Sequence, residues 1–338
     1  MTPIEDSLQV AGYNKDEQGI FRSGNKGYWS NLDKEENQRF LDMLQKYPPR
    51  EAVRIALPQF ENIIFSEKRE AALELLDIQP GEVCIDYGCM WGVLSVGMAK
   101  RGGRVVSIDQ TGPSLTFLAH RRRHDKLDSL TIVQDDIKKV DLPELADCSV
   151  VNGVLEWIPE TSEVDLKKFY GRRMVRSGPR VSPQMMQLDF LQRVHRNLKG
   201  GGRLLLAIEN RYDYTQFIGK KDPHANLWFT SFLPRQLSSL LSYIQLGRPY
   251  VNYLYSFPSL HKLLLQAGFA EVELYMCFPN YRFPELILPY DGGLAQYRAI
   301  WPEGSTWRRK VALWIERFLM RVLKGRFFAP SIVAVARK

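Results

Sequence analysis

The loop Asp86-Tyr87-Gly88-Cys89-Met90-Trp91-Gly92 has the residue types and spacing of a ligand-holding turn. Its glycines let the backbone bend sharply and approach a ligand with no Cβ in the way. A helix beginning just after it would turn its free N–H groups toward the same ligand. Asp109 follows about twenty residues on, where an acidic side chain accepts hydrogen bonds from both hydroxyls of a ribose. The chemistry on offer is the holding of a nucleoside-bearing ligand. The spacing argues against a dinucleotide, because G-x-G-x-x-G needs a glycine beside the pyrophosphate. Here Met90 stands in that place, between Gly88 and Gly92.

A second polar group lies further along: Glu209-Asn210-Arg211-Tyr212, then Lys221-Asp222, His224 and Leu233-Pro234-Arg235. His224 is the candidate general base for a hydroxyl, with Glu209 beside it in the candidate catalytic set. Arg211 or Arg235 is suited to steadying an anionic or sugar-linked acceptor. The structural alternative is a capping histidine with surface arginines. His120 and His124 have the spacing of a metal pair on a helix. They flank three arginines, however, and no carboxylate partner is evident, so they read as a solvated face and no metal is expected.

These residues need a scaffold, and the hydrophobic pattern supplies one. Strand-like runs at Val83–Tyr87, Arg104–Asp109, Leu130–Asp136, Cys148–Leu155 and Arg203–Glu209 alternate with helical patterns at Val93–Lys100, Pro113–His124 and Met185–Leu198. Another helical pattern at Glu67–Leu76 is ended by Pro80-Gly81, and Lys199-Gly200-Gly201-Gly202 reads as a turn. The alternation predicts an α/β fold with a Rossmann-like, doubly wound sheet. It is interrupted after Glu209 and again after Phe278. It resumes with a helix at Ser259–Ala267, a strand at Glu271–Cys277 and a last strand at Ser331–Ala336. Residues 1–60 read as an N-terminal cap, with a helix at about Lys34–Lys46 and an irregular approach. Residues 61–338 read as the main domain, with cap insertions at 211–257 and 279–330. Both insertions leave strand carboxyl ends, where ligands bind in such sheets, so they are expected over the binding crevice.

The chain has 338 residues, 45% of them hydrophobic, yet no apolar run approaches the roughly 20 residues of a membrane-spanning helix. Met1–Val10 lacks the basic start and apolar stretch of a signal peptide, so a cytoplasmic protein is expected. The four cysteines, Cys84, Cys89, Cys148 and Cys277, show no CxxC spacing and read as buried free thiols. The net charge of +8 favours acidic partners. Basic clusters fall at Arg121–Arg123, at Arg172-Arg173 with Arg176 and Arg180, and along Arg308–Arg326.

The run Val83–Gly92 resembles the first motif of class I S-adenosyl-L-methionine (SAM) dependent methyltransferases. Val105–Asp109 resembles their second strand, and Val133-Gln134-Asp135-Asp136-Ile137 their adenine-contacting segment. Val150–Pro159 is similar to their fourth strand and its exit, and Leu198–Leu204 to the turn before their fifth strand. The motifs span Phe65 to Glu209 in the family's order. The resemblance implies a seven-stranded sheet and SAM as cofactor. By the same resemblance Asp86, Gly88 and Gly92 line its methionine part and Asp109 holds the ribose, with Cys89 and Gln110 also in the cofactor-binding set. Asp136 accepts from the adenine amino group with Ile137 beside the ring, while Leu155 and Glu156 border the methyl-transfer space. One departure is Met90, where the family usually has glycine; a side chain there crowds the cofactor or redirects the loop.

The segments after Glu209 and at Phe278–Pro284 resemble methyltransferases of bacterial surface-polysaccharide pathways. The expected acceptor is a small molecule, glycan or lipid-linked glycan, methylated at a hydroxyl oxygen. The alternatives are a lipid or quinone-like acceptor, and a SAM-binding regulatory or scaffold protein without turnover. Nucleobase amino-methyltransferases share a Pro-Pro-aromatic motif after the fourth strand. Asn152-Gly153-Val154-Leu155 lacks it, so nucleic acid is disfavoured as a partner. Residues 307–326 form an apolar helical stripe among arginines. This helix either packs on the sheet or lies on an anionic membrane at the inner face.

Overall fold

The computed structural model describes residues 3–23, 33–140, 142, 146–159, 182–298 and 307–338. Tyr28-Trp29 and the cluster Arg172, Arg173, Arg176 and Arg180 lie outside them, as do the side chains of Arg308 and Arg309. The chain forms two compact units. The first comprises Met1–Asn152, Arg193–Leu205 and Arg337–Lys338, and the second Gly153–Gln192 and Leu206–Ala336.

The first unit is built on parallel strands. β1 (Asn14–Lys15) pairs antiparallel with β2 (Ile20–Arg22), and β2 runs parallel to β5 (Leu130–Gln134). β5 runs parallel to β4 (Arg104–Asp109), β4 to β3 (Val83–Tyr87), and β3 to β6 (Ala146–Asn152). Every residue of β3 and β5 is buried, which is why these strands are dense in apolar residues rather than alternating; their polar residues Asp86, Thr131 and Gln134 are buried with the rest. The first part of β7 (Leu198–Glu209) completes the order β1-β2-β5-β4-β3-β6-β7. In the helix Val93–Lys100 seven of the eight residues are buried. A Cβ on its Gly97 would lie 2.8 Å from the Glu70 carboxyl carbon and 2.9 Å from Leu73 Cδ1, so close packing requires a glycine there.

The helix Lys34–Lys46 forms where expected, closed at its start by a capping box of Asp33 and Glu36. Beyond it, the irregular approach expected over residues 1–60 is replaced by ordered elements. Besides β1 and β2 there are helices at Pro3–Val10 and Pro49–Ala56, and Ile20 and Phe21 are fully buried. Two other boundaries also differ. Gly200–Gly202 belongs to β7 rather than to a turn, because Gly201 N donates to Lys338 O and Lys338 N to Gly202 O. β6 stops at Asn152, and Leu155–Trp157 is a short 3-10 turn.

Phe40, Leu44, Ala52 and Val53 of the N-terminal helices join Leu57, Ile64, Trp91 and Phe117 in one apolar cluster. Phe40 meets Trp91 edge-on, with ring centroids 5.8 Å apart. Phe40→Ala should therefore cost about 3–5 kcal/mol in denaturant unfolding. It should also change Trp91 fluorescence in the folded protein; a cost below about 1 kcal/mol would show that the N-terminal helices do not hold this face.

The second unit carries the end of β7 and the order β7-β10-β8-β9, with β8 at Glu271–Phe278, β9 at Leu286–Pro289 and β10 at Ser331–Arg337. The described residues thus hold ten strands against seven expected, the additions being β1, β2 and β9. Both insertions lie within this unit. Asn210 fastens the first by donating its side-chain amide to Phe327 O and Ala329 O. The C-terminal helix runs Trp307–Arg321, short of the expected Arg326. It buries Leu313, Glu316 and Met320, and Tyr214 and Tyr297 donate one hydroxyl to each Glu316 oxygen, both at 2.6 Å.

Candidate functional site

In the first unit β3 ends in the glycine loop. Gly88 (φ 74°), Met90 (φ 47°) and Gly92 (φ 70°) are all left-handed. The loop is held from below: Gly88 N and Cys89 N donate to Ile108 O at 2.8 and 3.1 Å. Asp109 accepts from Met90 N through Oδ2 and from Thr111 N through Oδ1, both at 2.8 Å, so it anchors the loop from the end of β4. A Cβ on Gly92 would lie 2.2 Å from Leu118 Cδ1, so the glycine is required by packing as well as by φ. Met90 occupies a conformation that glycine favours, and its side chain packs against the Phe40–Trp91 cluster. The N-terminal helices thus supply the apolar seat that this substitution uses.

The other cofactor candidates in this unit occupy the neighbouring strand ends. Gln110 O accepts from the Gln134 amide at 3.0 Å. Asp136 accepts from Lys138 N at 3.0 Å, and Ile137 is buried beside it. Asp135 receives the Tyr13 hydroxyl at 2.5 Å, a partner from the N-terminal segment that residue spacing could not reveal. Leu155 is buried in the second unit. All four cysteines are free and buried. His124 does have a carboxylate beside it, Asp125 at 2.7 Å, contrary to expectation.

Asp86 is almost fully buried and accepts from Ser95 Oγ at 2.6 Å. Burial, with the Asp109 charge nearby, pushes its carboxyl up to about 6 from the ordinary 3.8. The folded chain therefore binds this proton more tightly than the unfolded chain. The resulting stabilisation is fully present below about pH 4 and is lost as pH rises through 6. In the cofactor-free protein, Asp86→Asn should gain on the native chain by about 1–2 kcal/mol between pH 5 and pH 8. Denaturant unfolding at the two pH values tests this; parallel profiles would contradict it.

The second unit brings two of the three catalytic candidates together. Glu209, at the end of β7, and His224 meet Glu156 from the 3-10 turn after β6. One donor atom from each lies within 4.8 Å of the others, and all three residues are buried. His224 Nε2 is 3.9 Å from Glu156 Oε1, and Nδ1 is 3.5 Å from Asp222 Oδ1, which are ion-pair distances rather than hydrogen bonds. Trp157 covers the imidazole edge-on, ring centroids 4.9 Å apart.

Tyr250 donates to Asp222 Oδ2 at 2.8 Å, while Tyr281 Oη and Arg282 Nη2 both donate to Glu209 Oε1 at 3.3 Å. Gly153 makes room for Tyr281: a Cβ there would lie 2.5 Å from its hydroxyl. Burial pushes Glu209 up, reinforced by the Glu156 charge. Burial pulls His224 down, but the Asp222 and Glu156 carboxylates outweigh it and push the imidazole up to about 10. The imidazole therefore favours its protonated form, which does not suit the general-base role expected of His224, whereas burial raises the proton affinity of Glu209.

Arg211 is committed elsewhere. It donates Nε to Ser231 O at 2.7 Å and Nη2 to Leu233 O at 2.6 Å, fastening the insertion to itself. Arg235 donates to Gln184 at 2.7 Å and lies 4.0 Å from the centroid of the Tyr253 ring. Sequence reasoning missed Tyr250 as a supporting residue. Its contact with Asp222 spans 28 positions and leaves no periodic signal.

Residues 78–224 match a family model described as a methyltransferase domain. A probable ribosomal RNA small subunit methyltransferase A of Methanosphaera stadtmanae is 25% identical over 187 residues. That match covers 54% of this chain and 64% of the relative, so the chain spans less than two thirds of the relative's length. Among solved structures, the fold is similar to Haemonchus contortus phosphoethanolamine N-methyltransferase 2 in complex with phosphomonomethylethanolamine and S-adenosylhomocysteine. The TM-score is 0.47 at 15% identity, covering 88% of this chain and 60% of that one. It is also similar to the N-methyltransferase NodS of Bradyrhizobium japonicum with S-adenosylhomocysteine, at TM-score 0.42 and 12% identity, covering 90% and 98% of the two chains. Over residues 78–224, less than half of its length, the chain is similar to methyltransferase domains.

Proposed function

We propose that the chain is a SAM-dependent methyltransferase that methylates a hydroxyl oxygen of a glycan or other small-molecule acceptor. The observation that carries this reading is the buried Glu156–Glu209–His224 centre. A hydroxyl must lose its proton as its oxygen attacks carbon, and the Glu209 carboxyl, whose proton affinity burial raises, suits that task. The residues of the first unit fit SAM. The left-handed Gly88 and Gly92 shape the loop at its methionine end, and Asp109 stands at the strand end where a ribose is held. When bound, SAM would supply the methyl group, carried on a sulfonium. Glu209 takes the acceptor proton, Tyr281 and Arg282 hold its carboxylate in place, and the Trp157 ring shields the centre from water.

The test is transfer of labelled methyl from SAM into glycan, lipid, protein and RNA fractions of the native cell. The expected product is label in glycan or glycolipid, stable to mild alkali as an ether would be. Label in RNA would replace this reading with a second one, which the likeness to the Methanosphaera relative favours. SAM binding without any labelled fraction would favour a regulatory protein.

The C-terminal helix supports a peripheral membrane contact as part of the same reading. Trp307, Val311, Trp314, Phe318 and Val322 form an exposed stripe, and Lys310, Arg317, Arg321 and Lys324 are exposed around it. Aromatic and aliphatic residues rimmed by cations suit an anionic lipid surface. No helix among the described residues is long and apolar enough to cross a membrane. Flotation with phosphatidylglycerol vesicles at low salt should carry the protein upward, and Trp314→Glu should abolish this; no flotation would remove the membrane contact.

A further inference from the structure

We propose that Glu156, Glu209 and His224 form a binding site for one divalent first-row cation, with an oxygen from each carboxylate and Nε2 of the imidazole as ligands. The proposal rests on the reading above for the cation's role, but its binding can be tested separately.

The spacing fits. The three donor atoms lie within 4.8 Å of one another. A cation with bonds of about 2.0–2.2 Å holds adjacent ligands roughly 3 Å apart and opposite ones roughly 4.2 Å apart, so small side-chain movements close the site. The donors are also uncommitted. Both Glu156 oxygens, Glu209 Oε2 and both His224 ring nitrogens are buried and make no hydrogen bond among the described residues. Glu156 has no exposed surface at all. Buried polar atoms of this kind are costly unless something binds them.

The composition agrees. Three acidic side chains, Glu156, Glu209 and Asp222, converge here beside one guanidinium, that of Arg282, and such an excess of acidic groups suits a dication.

The surroundings have the form of an outer shell. Asp222 lies beside His224 Nδ1, leaving Nε2 on the Glu156 side, and Tyr250 holds Asp222. Tyr281 and Arg282 occupy Glu209 Oε1 and leave Oε2 for the metal. Asn252 fixes the Glu156 backbone through a 3.1 Å hydrogen bond to its carbonyl. A carboxylate behind a ligating histidine is the usual means of fixing its ring and tautomer. Two carboxylate oxygens and one imidazole suit Mn²⁺, Fe²⁺ or Zn²⁺ better than the all-oxygen sites of Ca²⁺. In the hydroxyl reaction such a cation would activate the acceptor by lowering the pKa of its coordinated hydroxyl, with Glu209 then acting as a ligand rather than as the free base.

Mn²⁺ is the probe. Chelator-treated protein is titrated with Mn²⁺, and the free ion is followed by its paramagnetic resonance signal. One Mn²⁺ per chain is expected, with nitrogen modulation from one imidazole in the pulsed spectrum. Glu156→Gln and Glu209→Gln should each weaken binding at least tenfold (roughly the least expected for a lost ligand) while SAM affinity holds. No saturable binding, or bound Mn²⁺ without the nitrogen coupling, would overturn the site. The coupling is read on the native chain, so it decides even if a variant fails to fold. Methyl transfer that persists without Mn²⁺ binding would remove the cation and leave the methyltransferase standing.

Discussion

Glu209→Gln lowers methyl transfer by two to three orders of magnitude and leaves SAM affinity within about twofold. Removal of a positioned proton acceptor costs about 10²–10⁴ in rate. The substitution keeps the size of the side chain and its contact with Tyr281, but removes the charge that burial and Glu156 have made more basic. Because Glu209 lies in the proposed acceptor centre and not in the loop Asp86–Gly92, the loss should fall on turnover. Single-turnover transfer and calorimetry with SAM separate the two effects. Unchanged transfer would remove the Glu156–Glu209–His224 centre from the chemistry.

Asp109→Ala has the opposite signature: SAM affinity falls at least a hundredfold. Two hydrogen bonds from ribose hydroxyls to an ionised carboxylate are worth about 3–5 kcal/mol together. The same carboxylate also holds Met90 N and Thr111 N, so its loss loosens the loop that carries Gly88 and Gly92. Asp109→Asn should fall between the two, since one amide oxygen can still accept. Equilibrium dialysis with labelled SAM measures the series; equal affinity in all three proteins would place the cofactor elsewhere.

The central strands β3, β4 and β5 of the first unit were legible because they are buried almost throughout and so are dense in apolar residues. The pairing of the loop with Asp109 was legible because the end of β4 lies beside the loop that follows β3, where Asp109 accepts from Met90 N. Residues Ile20–Arg22 were not, since three residues cannot display a period and their partner, β5, lies more than a hundred positions away. Glu209 and His224 were found as residue types suited to proton transfer. Their convergence with Glu156 depends on how the first insertion folds back, which no local pattern encodes. Arg211 illustrates the converse: its charge suggested a ligand, whereas its two short bonds to Ser231 O and Leu233 O give it a fastening role.

Met90 first stood as a misfit in a glycine's place. Its left-handed backbone costs on the order of 1–3 kcal/mol, and its side chain offsets this by packing into the cluster around Phe40 and Trp91. The N-terminal segment therefore supports the cofactor loop from within the same unit.

The central claim is that the loop from Asp86 to Gly92, with Asp109, holds SAM. Calorimetric titration of the native chain with SAM tests it most directly. The account predicts one saturable site per chain, displaced by S-adenosylhomocysteine and lost in Asp109→Ala. A native chain that takes up no SAM, or a site untouched by Asp109→Ala, would contradict it.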